Sequence, residues 1–208
     1  MKREHPILDI YYDNPNEASD MYLKWLKKDC EKNGIEVREF NNLTDWLSVE
    51  GGNGELFLEP TKNMPEFYKD HDWNVDRDSA TATGIYNYIT ENYPDRENTI
   101  AVIGRGLVGK QLLDKLINYG YTVCEFNSKS DTDKMLDFCV EFADIVVGLA
   151  TEQIFNNDDS SYIRANNTLL IDSGNNFDDK YKMKCGKWTR QVIIDRVLEN
   201  YKKGQEDG

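Results

Sequence analysis

Gly104, Gly106 and Gly109 fall in the stretch "NTIAVIGRGLVGKQLLDKL", where a β-branched apolar run gives way to a helical pattern. Their spacing is G-x-G-x-x-G, and the position between a strand and a helix gives it chemical meaning. The first glycine permits a tight turn, the second lets backbone approach a pyrophosphate, and the third lets helix pack closely on strand. The helix N-terminus adds amide donors and the positive end of its dipole. The chemistry implied is dinucleotide binding.

The cofactor variant is read from the end of the next strand. An NAD site commonly places Asp or Glu there for the ribose 2′-hydroxyl, whereas this chain reads "EFNSKS", ending in Asn127, Ser128 and Lys129. Neutral donors and a cation suit a 2′-phosphate, and Arg105 inside the loop could reach the same group, so NADP is favoured over NAD. Glu125 is the rival, favouring NAD if the strand ends two residues earlier. Arg105 and Lys129 as plain solvated cations is the alternative to both.

The elements that position this loop form a regular series. "IAVIG" reads as a strand, followed by a helix from Lys110 to Tyr119, strand "YTVCEF", a helix from Asp131 to Glu141, and strands "DIVVGLA" and "TLLIDSG". Strands alternating with helices of about ten residues imply a parallel sheet of βαβ units. Upstream, strand "PILDIYY" leads to a helix from Ala18 to Asn33, with Ala18, Met21, Tyr22, Trp25, Leu26 and Cys30 on one face and Gly34 closing it. "IEVREF" alternates like a strand. Residues 41–77 are weakly periodic, with one short strand in "EGGNGELFLEP", and a helix spans Ala82 to Asn92. An amphipathic helix, "KWTRQVIIDRVLENY", precedes a polar tail expected to fray.

The chain of 208 residues carries a formal net charge of −13, so its field repels nucleic acid and anionic membrane. No apolar run is long enough to span a membrane, and the N-terminal residues turn polar too early for a signal peptide, so a cytoplasmic location is expected. Cys30, Cys124, Cys139 and Cys185 are scattered and only His5 and His71 could join them. Neither a metal site nor a disulfide framework is expected, and the cysteines read as reduced core thiols.

Several separated motifs, in order, resemble the bifunctional methylenetetrahydrofolate dehydrogenase/cyclohydrolase family. "NPNEASDMYLKWLKKDCEKNGIEV" resembles its N-P-A-S-x-x-Y-V-x-x-K helix, and "NVDRDSATATGIYNYI" resembles its D-V-D-G and P-C-T-P-x-G-I elements drawn together. "IAVIGRGLVGK" resembles V-V-I-G-R-S-x-x-V-G-x-P, "FNSKS" resembles C-H-S-x-T, and "ADIVVGLA" resembles A-D-I-V-V-x-A-x-G. "LLIDSGNN" resembles V-V-I-D-V-G-I-N, and "CGKWTRQVIIDRVLEN" resembles G-V-G-P-M-T-x-x-M-L-L-x-N.

The resemblance implies an α/β fold of two lobes with a cleft between them. Residues 1–95 and 186–203 form a catalytic, folate-binding lobe, 96–185 a Rossmann-type parallel-sheet lobe for NADP, and 204–208 a frayed tail. The last helix returns to the first lobe. By position, Gly104, Arg105, Gly106, Gly109, Ser128 and Asn175 contact the cofactor. Tyr22 lies against the folate ring system and Asp76 bonds its pterin end, although a core tyrosine and a turn aspartate are the alternative readings. The substrate is a tetrahydrofolate, and a homodimer is implied.

The departures concern one half of the family's chemistry. Four residues after its tyrosine the family has the lysine that assists hydrolysis of the methenyl intermediate; here that position is Leu26. Lys27 lies about 100° round the helix. The D-V-D-G glycine is Arg77, the prolines of P-C-T-P are Ser79 and Ala82, and "ELFLEP", which echoes the family's V-Q-L-P-L-P strand, offers no glutamine, with Glu59 nearby in sequence. Hydride removal from the methylene carbon is driven by a ring nitrogen's lone pair and chiefly needs positioning. Hydrolysis needs proton transfers, to which a placed acid or base contributes about 10²- to 10⁴-fold. The expectation is an NADP-dependent dehydrogenase with weak or absent cyclohydrolase activity. The alternatives are a bifunctional enzyme with a substitute acid/base and a non-catalytic binding relative.

Overall fold

Parallel pairing organises both sheets of the protein, which is described from a computed structural model over residues 4–11, 17–41, 43–48, 55–58, 74–127, 131, 133–150, 153–155, 159, 163, 168–173, 176–177 and 183–206. Contacts divide the chain into two units, Met1–Ala80 with Thr189–Gly208, and Thr81–Trp188. These divisions fall inside helices, not at the turns near 95 and 185.

The first unit is built on a four-stranded sheet in the order β2-β1-β3-β4, from β1 (Ile7–Tyr11), β2 (Glu36–Phe40), β3 (Glu55–Leu58) and β4 (Asn74–Asp76). Helix α1 (Glu17–Lys32) connects β1 to β2, and Gly34, at φ +68°, ends it in the left-handed conformation a C′ glycine supplies. The stripe α1 buries is Tyr22, Leu23, Leu26 and Cys30, while Met21 and Trp25 are half exposed at 51% and 50%. The expected face was therefore rotated: Leu23, about 100° from Tyr22, replaces Met21 and Trp25 in the core. This core also takes Leu8, Ile10, Ile35, Ala80, Ile193, Ile194 and Val197.

Asp9, on the central strand β1, is fully buried. Its carboxylate accepts Arg38 Nε at 2.7 Å and Arg38 Nη2 at 2.9 Å, and Trp46 Nε1 at 2.9 Å. Trp46 belongs to α2 (Leu43–Leu47), a short helix that the weak periodicity of residues 41–77 did not reveal, as it did not reveal β4. A buried carboxylate is tolerated only when fully bonded in this way.

The second unit is a five-stranded sheet in the order β6-β5-β7-β8-β9, from β5 (Thr99–Ile103), β6 (Thr122–Phe126), β7 (Ile145–Gly148), β8 (Leu169–Asp172) and β9 (Met183–Lys184). Ile100 and Val102 point into one apolar cluster and Ala101 and Ile103 into the other, the two-sided burial of a Rossmann-type sheet. The expected α/β class with parallel sheets is the one observed. Helix α4 (Leu107–Tyr119) starts directly after Gly106 instead of at Lys110. Helix α5 (Asp133–Glu141) starts after Asp131, whose carboxylate accepts the Asn127 N–H at 2.7 Å and so belongs to the preceding turn.

Helix α3 (Arg77–Asn92) begins five residues before the expected Ala82. Ser79 and Ala82 stand where proline would interrupt a helix, so nothing stops it running back to Arg77. The C-terminal helix α6 (Gly186–Glu206) likewise continues through Gly204 and Gln205, so the expected frayed tail is helical up to Glu206. Cys30, Cys139 and Cys185 are buried, and burial pushes the Cys30 thiol up to about 12 and that of Cys139 to about 11. No helix among the described residues is long and apolar enough to cross a membrane.

Arg190 on α6 donates through Nε to Asp29 of α1 at 2.7 Å, with its guanidinium over the Trp25 ring. The Arg190 hydrogen bond holds the Asp29 carboxyl below the usual carboxylate range. Because that folded-state pKa is depressed, the pair's stabilisation is present above the ordinary carboxylate pKa and lost as pH falls through the folded value. Urea unfolding should show Asp29→Asn less stable than the native chain above about pH 5, with the gap closing toward pH 3. A gap independent of pH would reject the account. Arg38→Met, which removes both guanidinium donors from the buried Asp9 carboxylate, is expected to cost about 3 kcal/mol or more in the same measurement.

Candidate functional site

The glycine loop leaves β5 at the point where the sheet order reverses, between β6 and β7, the switch point at which parallel α/β sheets bind ligands. Gly104 has φ +112°, and a Cβ there would lie 2.7 Å from the Ala150 nitrogen. Its N–H bonds the Phe126 carbonyl at 2.9 Å, carrying the β5–β6 ladder one residue past the strand. Gly109, buried in the first turn of α4, would place a Cβ 2.0 Å from the Gly104 carbonyl oxygen. The helix can lie this close to the strand only without a side chain.

Gly106 is different. It is the N-cap of α4, in extended conformation with no side-chain cap, and a Cβ there would meet nothing within 4 Å. The start of α4 therefore carries neither a capping side chain nor, around Gly106, any described atom that a Cβ would meet, and a helix N-terminus of this kind suits a pyrophosphate.

Arg105, half exposed, pairs through Nη1 with Glu125 Oε1 at 3.3 Å. Glu125 is the penultimate residue of β6, which runs to Phe126 and does not stop short. Ser128, Lys129 and Asn175 lie outside the described residues.

Two residues that sequence reasoning passed over hold the loops beside the glycines. Asn176 is fully buried; its side-chain amide donates to the Ala150 carbonyl at 3.1 Å while its Oδ1 accepts the Ala150 N–H at 3.2 Å. Asp172 at the end of β8 accepts the Asn176 side chain at 3.0 Å and the Phe177 N–H at 3.3 Å. The segment after β7, against which Gly104 packs, is thereby pinned to the segment after β8. Only the "DSGNN" composition hinted at this, since Asx residues favour such loop bonds.

In the first unit, Tyr22 is 7% exposed and the Arg77 guanidinium carbon stands 4.4 Å from its ring centre. Leu26 is fully buried in the same apolar cluster. Asp76 closes β4 in register with Leu58 of β3, which pairs with Tyr11 of β1, so its backbone lies in the carboxyl-end row of this parallel sheet. The Asp76 side chain and Glu59 lie outside the described residues.

No protein-family profile and no curated protein matches the sequence. Among solved structures, the chain is similar to a bifunctional 5,10-methylenetetrahydrofolate dehydrogenase/cyclohydrolase from Thermoplasma acidophilum, with TM-score 0.70 and 18% identity, covering 97% of this chain and 90% of that one. A Trypanosoma brucei methylenetetrahydrofolate dehydrogenase-cyclohydrolase, complexed with NADP cofactor and inhibitor, gives 0.75 at 15% identity, over 95% and 87%. The NAD-dependent 5,10-methylenetetrahydrofolate dehydrogenase from Saccharomyces cerevisiae gives 0.74 at 16% identity, over 96% and 89%. The protein has the fold of these dehydrogenases.

The glycines separate fold from ligand. Gly106→Ala should change stability by about 1 kcal/mol at most yet weaken dinucleotide binding at least about tenfold, because its Cβ intrudes only on the ligand. Gly109→Ala should destabilise by about 1–3 kcal/mol as helix and strand are forced apart. Calorimetry and urea unfolding check both, and unchanged dinucleotide affinity in Gly106→Ala would reject the assignment of the loop.

Proposed function

We propose that the protein is an NADP-dependent 5,10-methylenetetrahydrofolate dehydrogenase, forming the 5,10-methenyl product, with cyclohydrolase activity weak or absent. The observation that carries this is the glycine loop: a turn and helix start locked by Gly104 and Gly109 around an open Gly106, in a fold shared with methylenetetrahydrofolate dehydrogenases. A bound dinucleotide would supply the hydride acceptor. The chain's own contribution is positional: α4 amides for the pyrophosphate, and Asn176 with Asp172 holding the adjoining loops. Such positioning is what hydride transfer chiefly requires. Leu26, buried among apolar neighbours, has no group to move a proton, which supports loss of the hydrolytic step.

The NADP reading rests on Arg105. Its bond to Glu125 joins two half-exposed side chains, and such pairs contribute about 0–1 kcal/mol. A 2′-phosphate, carrying close to two negative charges, competes favourably for the same guanidinium. The proposed assembly is a homodimer, consistent with β6 lying at the edge of its sheet.

Mixing protein with methylenetetrahydrofolate and NADP⁺ should raise reduced-nicotinamide absorbance above a blank, while added methenyltetrahydrofolate should decay no faster than in buffer. Folded protein giving no rise would sink the dehydrogenase reading. Arg105→Gln is expected to weaken NADP binding about tenfold with little effect on NAD, and Glu125→Gln to strengthen it severalfold. If native protein prefers NAD and Glu125→Gln abolishes that preference, the ribose partner is Glu125 and the cofactor is NAD.

A further inference from the structure

Cys124 of β6 and Cys139 of α5 lie on the same face of the second sheet. Cys124 is in register with Ala101 of β5, and Ala101 and Cys139 belong to the apolar cluster against which the partly buried Cys124 packs. The Cys139 thiol donates to the carbonyl of Glu125, the residue after Cys124, at 3.5 Å, and it also shares a hydrogen bond with the Cys124 thiol. The two sulfurs are therefore direct neighbours. Cys30 and Cys185 are placed elsewhere, one in the core of the first unit and one in the cluster on the opposite face of the second sheet. All four are free thiols. The adjoining pair differs in access: Cys139 is buried, whereas Cys124 is partly exposed. Burial, and after it the Cys124 sulfur alongside, push the Cys139 thiol up to about 11, so it stays protonated at neutral pH. A small oxidant in solution therefore meets Cys124 first.

We propose that Cys124 and Cys139 form a dithiol modification site, which hydrogen peroxide closes into a disulfide pinning α5 to β6. The Cys124 sulfur attacks one peroxide oxygen, the O–O bond breaks, and Cys124 is left as a sulfenic acid with release of water. Cys139 then attacks the Cys124 sulfur. The S–S bond forms as the S–OH bond breaks, and the hydroxide departs as water with the Cys139 proton. One peroxide and two thiols thus become one disulfide and two waters, the peroxide taking both electrons. Cys139 is the resolving thiol: oxidation stops at a bond that another thiol can reverse, short of the irreversible sulfinic acid. The sulfurs already adjoin across the two elements, so closure draws on a contact present in the reduced fold. The site uses no bound dinucleotide and stands or falls separately from the dehydrogenase reading.

The test treats the folded full chain with hydrogen peroxide, unfolds it in iodoacetamide, and maps the peptides by mass spectrometry without reduction. A peptide pair joined through Cys124 and Cys139 of one chain is expected, with Cys30 and Cys185 alkylated, and dithiothreitol should return both thiols. Closing a loop of about 15 residues should shift the unfolding equilibrium about 100-fold toward the folded state, read as a higher urea midpoint. In Cys139→Ala, Cys124 should persist as a sulfenic acid that dimedone traps, an adduct that the native chain does not accumulate. The native map alone decides the link should that variant not fold. Recovery of Cys124 and Cys139 both alkylated after peroxide overturns the site. A link to another cysteine, a link between chains, or a dimedone adduct as the main product at Cys124 of the native chain overturns it equally. A Cys124–Cys139 link that fails to raise the urea midpoint overturns the pinning of α5 to β6.

Discussion

A carbonyl oxygen and a missing side chain set the geometry on which the glycine loop of this protein depends. The Gly104 carbonyl stands where a Cβ on Gly109 would be, 2.0 Å away. Helix α4 can therefore begin directly over the end of β5, with its first amides beside the turn. Gly104 takes a left-handed conformation to reverse the chain within that space, and a Cβ on it would lie 2.7 Å from the Ala150 nitrogen. Each glycine constrains a different neighbour: the helix, the next loop, and the open position at Gly106. The turn is tight because the backbone can approach itself there.

The first unit is held differently. Its central strand β1 is buried on both faces, yet carries an aspartate on one of them. Arg38 and Trp46 satisfy that carboxylate, drawing β2 and α2 onto the sheet. On the other face, Leu8 and Ile10 meet α1 and the last helix in a hydrophobic core that includes Leu26. The position that would carry an ammonium in the resembling family is thus absorbed into packing.

Much of this was legible in sequence because it is local. The β5–α4 turn, the α1 stop at Gly34 and the two-sided apolar strands follow from glycine stereochemistry and periodicity. What escaped reading has physical causes. Elements of three to five residues, such as β4 and α2, hold too few residues to display a period. The α1 face was misplaced because Met21 and Trp25 are apolar but border the stripe, where hydrophobicity alone does not decide burial. The start of α3 depended on absent prolines, and an absence gives no positive signal. The bonds of Glu125 to Arg105, Arg38 to Asp9 and Arg77 to Tyr22 join residues distant in the chain, which spacing cannot foretell.

The amide of Asn176 offers Ala150 both an acceptor and a donor, the same pair of groups that a peptide unit of a neighbouring strand would present. A side chain here imitates backbone. The ladder between β7 and β8 is in effect prolonged by one rung beyond where the strands themselves separate, without the chain having to run parallel there. Ala150, which borders Gly104, is thereby held at both its N–H and its carbonyl, and a backbone fixed in this way has less conformational freedom left to lose.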